Sequence, residues 1–228
     1  MVPRSPGNSR AVHTVEYSPG RSADVYGDPS QPTVLMWHGA QTDSRTAMRP
    51  LAERVHGHGL SVVLADWDSH ADDRGRSDLL ASAEFSRKHA GDGPLVVVGW
   101  SMGGLAAAGL TIHARQFEMA HTVCLAGAFM VPDPISGSPL PTSLDGDPVP
   151  FTLLHGARDD VIPPSASQEF ASTLERNGWP VSCVVLEADH GSIAGATYDP
   201  AADRYSAATD EASLSVAADV AARIAAVL

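Results

Sequence analysis

The chain is poor in the basic residues that bind nucleic acid. Of its 228 residues, 15 are lysine or arginine and 27 are aspartate or glutamate, which gives a net charge of −12 at neutral pH. Lys88 is its single lysine. Nucleic acids and anionic membrane surfaces attract proteins through their phosphate groups, so a partner of either needs a basic patch. The composition therefore excludes both partner classes, and we interpret the acidity as a solubility feature.

Long apolar runs and cysteines are also scarce. No apolar stretch reaches the roughly 20 residues of a membrane-spanning helix. The first ten residues lack the apolar core of a secretory signal, and we expect residues 1–10 to form a disordered arm. The two cysteines, Cys124 and Cys183, both fall in predicted core strands. Two buried thiols are typical of a reducing compartment, so we expect a cytoplasmic protein.

Short apolar runs alternate with amphipathic segments along the rest of the chain. Continuous apolar strands between helices indicate a mostly parallel sheet that is covered on both faces. We therefore predict one α/β domain over residues 11–228, built as a three-layer α/β/α sandwich. The predicted strands are 33–37, 60–65, 95–98, 122–126, 151–154 and 181–186, with a possible edge strand at 12–17; the predicted helices are 46–58, 77–89, 102–114, 165–176 and 210–227.

The most informative motif is Gly99-Trp100-Ser101-Met102-Gly103. It follows an apolar run and precedes a helix-like stretch, so Ser101 lies on a sharp strand-to-helix turn. The glycines permit that turn, because side chains at their positions would clash with the neighbouring strand and helix. The turn exposes the hydroxyl beside a helix N-terminus, which stabilises negative charge. This arrangement indicates a nucleophile that attacks a carbonyl group.

A serine nucleophile needs a base and an orienting acid, and on such a turn the order along the chain is serine, acid, histidine. Three histidines follow the helix that Ser101 begins: His121, His155 and His190. The first opens a predicted buried strand and the second ends one. His190 lies on a loop just past a predicted strand, where a mobile base is expected. We therefore assign His190 as the base.

The same order places the acid between Ser101 and His190 along the chain. Asp159 and Asp160 both follow the predicted strand at 151–154, and Asp133 in the preceding loop is a weaker alternative. Aspartate at a turn often caps a helix, so one of the adjacent pair can have a purely structural role.

A candidate oxyanion hole follows the first buried strand, in the segment His38-Gly39-Ala40-Gln41. A glycine after a strand lets the backbone turn so that an N–H points inward. We expect the N–H groups of Met102 and Ala40 to be the donors. His38 precedes the serine, and we expect it to hold the loop by hydrogen bonds.

Together these motifs resemble the α/β-hydrolase superfamily. The matching residues are His38-Gly39, Gly99 to Gly104, His155-Gly156-Ala157-Arg158-Asp159 and Asp189-His190-Gly191, and the resemblance spans about residues 33–228. It is greatest to small lid-poor esterases and to the dienelactone-hydrolase-like group.

The resemblance implies an α/β-hydrolase fold, an acyl-enzyme mechanism, no cofactor, and Asp159 as the acid. Dienelactone hydrolases have a cysteine nucleophile, so Ser101 favours ester or thioester substrates. The strand order of the superfamily also places strand 151–155 between Cys124 and Cys183, too far apart for a disulfide.

Residues 127–150 are rich in proline and exclude a helix. We expect this segment to form a minimal cap or pocket wall. Phe129 and Met130 are its apolar candidates for substrate contact, and Gln41 and Trp100 are candidates because they adjoin the catalytic elements. The acidic segment 66–73 contains metal-ligand residue types, but its spacing favours helix capping, so no metal site is predicted.

We predict a serine hydrolase for a small carboxylic ester or thioester. The same triad would also serve a cofactor-free perhydrolase or an acyltransferase, and a non-catalytic ligand-binding module is the alternative outside enzyme chemistry.

Overall fold

Strands and helices alternate along residues 12–228, the part of the chain that the computed structural model describes. The predicted arm at residues 1–10 lies outside this part. The strands are β1 (His13–Ser18), β2 (Arg21–Tyr26), β3 (Thr33–Trp37), β4 (Ser61–Ala65), β5 (Leu95–Trp100), β6 (His121–Leu125), β7 (Phe151–Gly156), β8 (Val181–Leu186), β9 (Ala196–Asp199) and β10 (Arg204–Ala207). The α-helices are α1 (Arg49–Gly57), α2 (Arg76–Ala90), α3 (Met102–His113), α4 (Ser165–Arg176) and α5 (Glu211–Ala225).

Eight strands form one sheet in the order β1-β2-β4-β3-β5-β6-β7-β8. Strands β3 to β8 are parallel to one another, while β2 pairs antiparallel with both β1 and β4. Side chains of β3, β4 and β5 are buried throughout, as expected for central strands with both faces covered. The predicted mostly parallel three-layer architecture is confirmed.

Alternate residues of each strand pack against opposite helix layers. In β3, Val34 and Met36 belong to a cluster with α1 and α5, whereas Leu35 and Trp37 pack with α2 and α3. A third cluster joins α4 to β6 and β7. The two-residue period of a strand thus separates the two faces of the sandwich.

The register of the parallel strands brings their carboxyl ends to one edge of the sheet. Trp37 of β3 pairs with Gly99 of β5, Trp100 pairs with Leu125 of β6, and Gly156 of β7 pairs with Leu186 of β8. The loops after these strands therefore lie side by side, and this is the edge at which open α/β sheets bind ligands.

Two elements and one side chain differ from expectation. Strand β2 was not predicted, and the β9–β10 hairpin forms in a segment for which no strand was predicted. The prediction that both cysteines are buried is wrong for Cys183, which is exposed because β8 is the edge strand of the sheet. Cys124 is buried, and the two lie on strands separated by β7.

Residues 127–150 contain turns and bends with no helix or strand. Among the helices of residues 12–228, none has both the length and the apolar character needed to cross a lipid bilayer.

Candidate active site

Ser101 lies on a strained turn between β5 and α3. Its backbone has φ +57° and ψ −118°, a conformation that a residue with a side chain rarely adopts. A Cβ atom at Gly99 would lie 2.0 Å from the carbonyl oxygen of Gly103, and one at Gly103 would lie 2.3 Å from that of His38. The contacts at both glycines are with backbone, so the turn depends on their lack of side chains.

The same turn fixes the direction of the helix behind the serine. The N–H of Ser101 donates to the carbonyl oxygen of Leu125 at 2.8 Å, and its own carbonyl accepts from the N–H of Gly104 at 3.0 Å. Met102 is the first residue of α3, where N–H groups have no partner within the helix. The positive end of the helix therefore lies beside the Ser101 hydroxyl.

His190 and Asp159 form a hydrogen-bonded pair next to this serine. Nδ1 of His190 is 2.8 Å from Oδ2 of Asp159, and both side chains are almost fully buried. The indole N–H of Trp100 donates to the carbonyl oxygen of His190 at 2.7 Å, which holds the histidine loop against the serine turn. Ser101 and His190 line one cavity, and within residues 12–228 no hydrogen bond joins their side chains. Such bonds are often long before substrate binds.

The Asp159 carboxylate is surrounded by donors. Oδ1 accepts from the N–H groups of Val161 at 2.9 Å and Ile162 at 2.8 Å, and Oδ2 is 3.3 Å from Nε2 of His155. Burial alone would raise the pKa of Asp159, but hydrogen bonds from His155 and His190 outweigh burial and hold this pKa well below its usual range. An ionised carboxylate only accepts, so Nδ1 of His190 carries a proton, and in the neutral form of this ring the lone pair is on Nε2.

The other two candidate acids have different surroundings. Asp160 is exposed and lines a cavity of about 600 Å³ that His190 also lines. Asp133 is buried, and it accepts from the N–H groups of Ile135 and Ser136, so it closes its own loop. Of these carboxylates, Asp159 is the one bonded to His190.

His38 holds the predicted oxyanion loop by hydrogen bonds, as expected. Its Nε2 accepts from the N–H groups of Trp67 at 3.1 Å and Ser44 at 3.3 Å, so the proton is on Nδ1, which donates to the carbonyl oxygen of Gly39 at 2.8 Å. In a trans peptide the next N–H points away from that carbonyl. The His38 ring thus directs the N–H of Ala40 away from itself. The loop lies close to Ser101, because a Cβ atom at Gly39 would be 3.8 Å from Oγ of Ser101.

The cavity that Ser101 and His190 line has a volume of about 340 Å³ and is also lined by Gly39, Ala40 and Gln41. Its far wall comes from the β9–β10 hairpin. Tyr205 packs edge-on against Trp100, with ring centroids 4.9 Å apart, and Tyr198 packs against Tyr205 at 5.1 Å. The cavity therefore lies between the loop after β3 and two tyrosines.

Two of the predicted substrate contacts have structural partners inside this cavity. Gln41 bonds to the backbone of Tyr205 twice, accepting from its N–H at 2.8 Å and donating to its carbonyl oxygen at 3.2 Å. Trp100 is 2% exposed and holds the His190 loop. Both line the cavity while also supporting its walls.

The other two predicted contacts, Phe129 and Met130, line a different cavity from Ser101. Phe129 stacks on Phe170 of α4, and both predicted residues line a separate cavity of about 370 Å³. The proline-rich segment also contacts the turn at Ser101: the N–H of Ala128 donates to the carbonyl oxygen of Ser101 at 3.2 Å, and residues 131, 132 and 134 line a cavity of about 240 Å³ together with Met102.

The acidic segment after β4 makes protein contacts. Asp66 forms an ion pair with Arg45, and Asp73 accepts from the N–H and hydroxyl of Ser77 at the start of α2. Asp73 therefore has a capping role of the predicted kind.

The hairpin tyrosines are functional candidates that sequence reasoning missed. No site was assigned to Tyr198 or Tyr205 from the sequence. The available signal was the alternation of apolar and polar residues in two four-residue segments, Ala196–Asp199 and Arg204–Ala207.

Burial of His38 in its neutral form will make the protein less stable in acid. Burial lowers the pKa of His38 from its ordinary 6.5 to about 4. As the pH falls from 6.5 to about 4, His38 binds a proton in the unfolded chain but not in the folded protein, so the free energy of unfolding decreases. At about 1.4 kcal/mol per pH unit, the loss amounts to about 3 kcal/mol.

The measurement is the free energy of unfolding from urea denaturation between pH 7 and pH 4, and its pH dependence is compared between the wild-type protein and His38→Gln. Other titrating groups are common to both proteins and cancel. Parallel curves would contradict the assignment of His38 as a buried neutral ring.

The fold is shared with solved hydrolases. An esterase of Pyrobaculum calidifontis is similar with a TM-score of 0.71 and 17% identity, covering 96% of this chain and 86% of that one. Esterase 2 of Thermogutta terrifontis, phosphorylated by paraoxon, gives 0.71 and 17%, covering 98% and 96%. An α/β-hydrolase enzyme from a Medee basin deep-sea metagenome gives 0.67 and 18%, covering 82% and 86%. No protein-family model and no curated protein matches the chain. The likeness to these structures, together with the mostly parallel sheet, shows that the chain has the α/β-hydrolase fold.

Proposed function

We propose that the protein is a serine hydrolase that cleaves a small carboxylic ester through an acyl-enzyme intermediate. The observation that carries the proposal is the His190–Asp159 pair facing the cavity of Ser101. Three residues distant in sequence converge there, each on a loop at the carboxyl end of a parallel strand. The esterases with this fold add support, and one of them is phosphorylated by paraoxon.

In the first half of the reaction, the Ser101 hydroxyl attacks the acyl carbon while Nε2 of His190 takes its proton. Ionised Asp159 stabilises the imidazolium that forms. The N–H groups of Met102 and Ala40 donate to the oxyanion, each worth roughly 3 kcal/mol in the transition state. His190 then gives its proton to the leaving oxygen, and the acyl group stays on Ser101.

Water completes the cycle. His190 takes a proton from the water molecule that attacks the acyl-enzyme, and it returns that proton to Ser101 as the acid departs. The two halves use the same oxyanion donors, so a thioester would follow the same path with a thiol as the leaving group.

The test of the nucleophile is Ser101→Ala. We expect kcat for p-nitrophenyl acetate to fall at least about 10⁴-fold and labelling by a fluorophosphonate probe to disappear. Mass spectrometry of the labelled wild-type protein should place the adduct on Ser101. An adduct on another residue, or labelling retained in the variant, would reject the proposal.

Asp159 and Asp160 form a natural matched pair for testing the acid. Asp159→Asn should lower kcat about 10³- to 10⁴-fold, because the amide no longer holds the required His190 tautomer or stabilises its cation. The adjacent Asp160→Asn makes the same chemical change on an exposed side chain and should keep kcat within about threefold. Equal losses in the two variants would refute the assignment of Asp159.

Substrate size is the third point to test. At about 340 Å³ the cavity is near the lower end of the range for small-molecule sites, and Tyr198 and Tyr205 limit it on one side. In a series of p-nitrophenyl esters from acetate to laurate, and a parallel thioester series, we expect kcat/KM to be highest for short acyl chains. Tyr198 is 45% exposed, so Tyr198→Ala should enlarge the cavity without disturbing the core and should favour longer chains.

Tyr198→Phe is the control for that variant, because it keeps the ring and removes only the hydroxyl that bonds to Asp203. It should retain the wild-type preference. A wild-type enzyme that prefers laurate, or an alanine variant with an unchanged profile, would show that the hairpin does not set acyl length.

A further inference from the structure

A second histidine contacts the Asp159 carboxylate from inside the protein. His155 lies near the end of β7 and is 0% exposed. Its Nδ1 is 2.7 Å from the hydroxyl oxygen of Ser167 on α4, and its Nε2 is 2.9 Å from the carbonyl oxygen of Ile162. The proposed reaction makes no direct use of this buried ring.

The contacts of His155 determine where its proton lies. A carbonyl oxygen only accepts, so Nε2 must carry hydrogen for the contact with Ile162. The same Nε2 is 3.3 Å from Oδ2 of Asp159, so this hydrogen is shared between the two oxygens. Oδ2 therefore lies between two imidazoles, with His190 at 2.8 Å on the cavity side.

Contacts with Ser167 and Ile162 hold the His155 ring in position against Asp159. The Ser167 hydroxyl fixes the ring plane, and the ring holds the carbonyl of Ile162. The N–H of Ile162 in turn donates to the other carboxylate oxygen, Oδ1, at 2.8 Å. Rotation of the carboxylate would break contacts on both oxygens, so His155 helps keep Oδ2 directed at Nδ1 of His190.

The contact also has an electrostatic effect on both titrating partners. An N–H dipole directed at Oδ2 stabilises the negative charge of Asp159, so it lowers the affinity of that carboxylate for a proton. Because His190 shares the same oxygen, removal of the dipole makes its surroundings more negative and raises its proton affinity as well.

We propose that His155 is a positioning residue for the reaction, acting through Asp159 on His190. This inference rests on the proposed function, since the reaction is what His190 would perform. Without His155, His190 would bind its proton at higher pH and Asp159 would be less well oriented.

Other charged and titratable groups also face His190, and they are unchanged in the variants below. They come from the β7–α4 loop, from its own loop, from the hairpin and from the segment after β4: Arg158, Asp160, Asp189, Tyr198, Asp203, Arg204, Tyr205 and His70.

The experiment compares His155→Leu, which removes the N–H, with His155→Gln, which retains an N–H donor. For the leucine variant we expect kcat to fall about tenfold with KM within twofold, and the acidic limb of kcat/KM to move to higher pH by about half a unit or more. The glutamine variant should recover most of both effects. A purely structural role would lower activity without moving the acidic limb, and that result would overturn the proposal.

An NMR titration of the His190 ring tests the same coupling without relying on turnover. Its midpoint should be higher in His155→Leu than in the wild-type protein and nearer to wild type in His155→Gln. If Ser101→Ala shows that the hydrolase proposal is wrong, this titration still reports on the His155–Asp159–His190 coupling. An unchanged midpoint in a folded leucine variant, judged by circular dichroism, would overturn the inference.

Ser167→Ala is the variant to use if replacement of the ring prevents folding. It keeps the ring and removes the hydroxyl that orients it, so the His190 midpoint should move in the same direction by a smaller amount. A midpoint equal to that of the wild-type protein would count against the proposal.

Discussion

The site depends on a contact between backbones that leaves no room for side chains. At the turn after β5, Gly99 lies against the backbone of Gly103, and Gly103 lies against that of His38. This close approach holds Ser101 at positive φ and places its turn in contact with the loop after β3. The cost of one strained residue, about 1 to 3 kcal/mol, is offset by the buried sheet on which the turn rests. The strain at Ser101 and the proximity of Ser101 to the loop after β3 therefore have one cause, the close approach at Gly99 and Gly103.

The electrostatics of the site rest on buried groups with defined hydrogen-bonding roles. His38 stays neutral because burial disfavours its charged form, and this lets Nε2 accept two backbone N–H groups while Nδ1 donates to Gly39. Asp159 stays ionised because four donors surround its carboxylate. The His38 ring thus orients the Gly39–Ala40 peptide, and the Asp159 carboxylate orients the His190 ring. The proposed oxyanion donor and the proposed base are therefore in position before a substrate binds.

Much of the central fold and of the candidate triad could be predicted, because central parallel strands are continuously apolar and the turn at Ser101 requires glycines. The choice of Asp159 over Asp160 needed family resemblance, since adjacent carboxylates at one turn look alike in sequence. Cys183 could not be placed correctly, because an apolar run does not distinguish an edge strand from a central one.

The hairpin was missed for a different physical reason. Its strands are four residues long and largely exposed, so the alternation of apolar and polar residues extends over too few positions to identify a strand in sequence. Phe129 was assigned to the substrate by its position after β6, but stacking with Phe170 draws it towards α4. A contact between residues far apart in the chain therefore decided the position of Phe129.

The hairpin also changes how the cavity can respond to a substrate. Gln41 bonds to both backbone groups of Tyr205, and it directly follows Ala40, whose N–H is the proposed oxyanion donor. The wall of the cavity and the loop that would stabilise the oxyanion are therefore linked through one side chain. A ligand that displaced Tyr205 would disturb the backbone next to Ala40. The hairpin thus couples the space available to the substrate to the geometry on which the chemistry would depend.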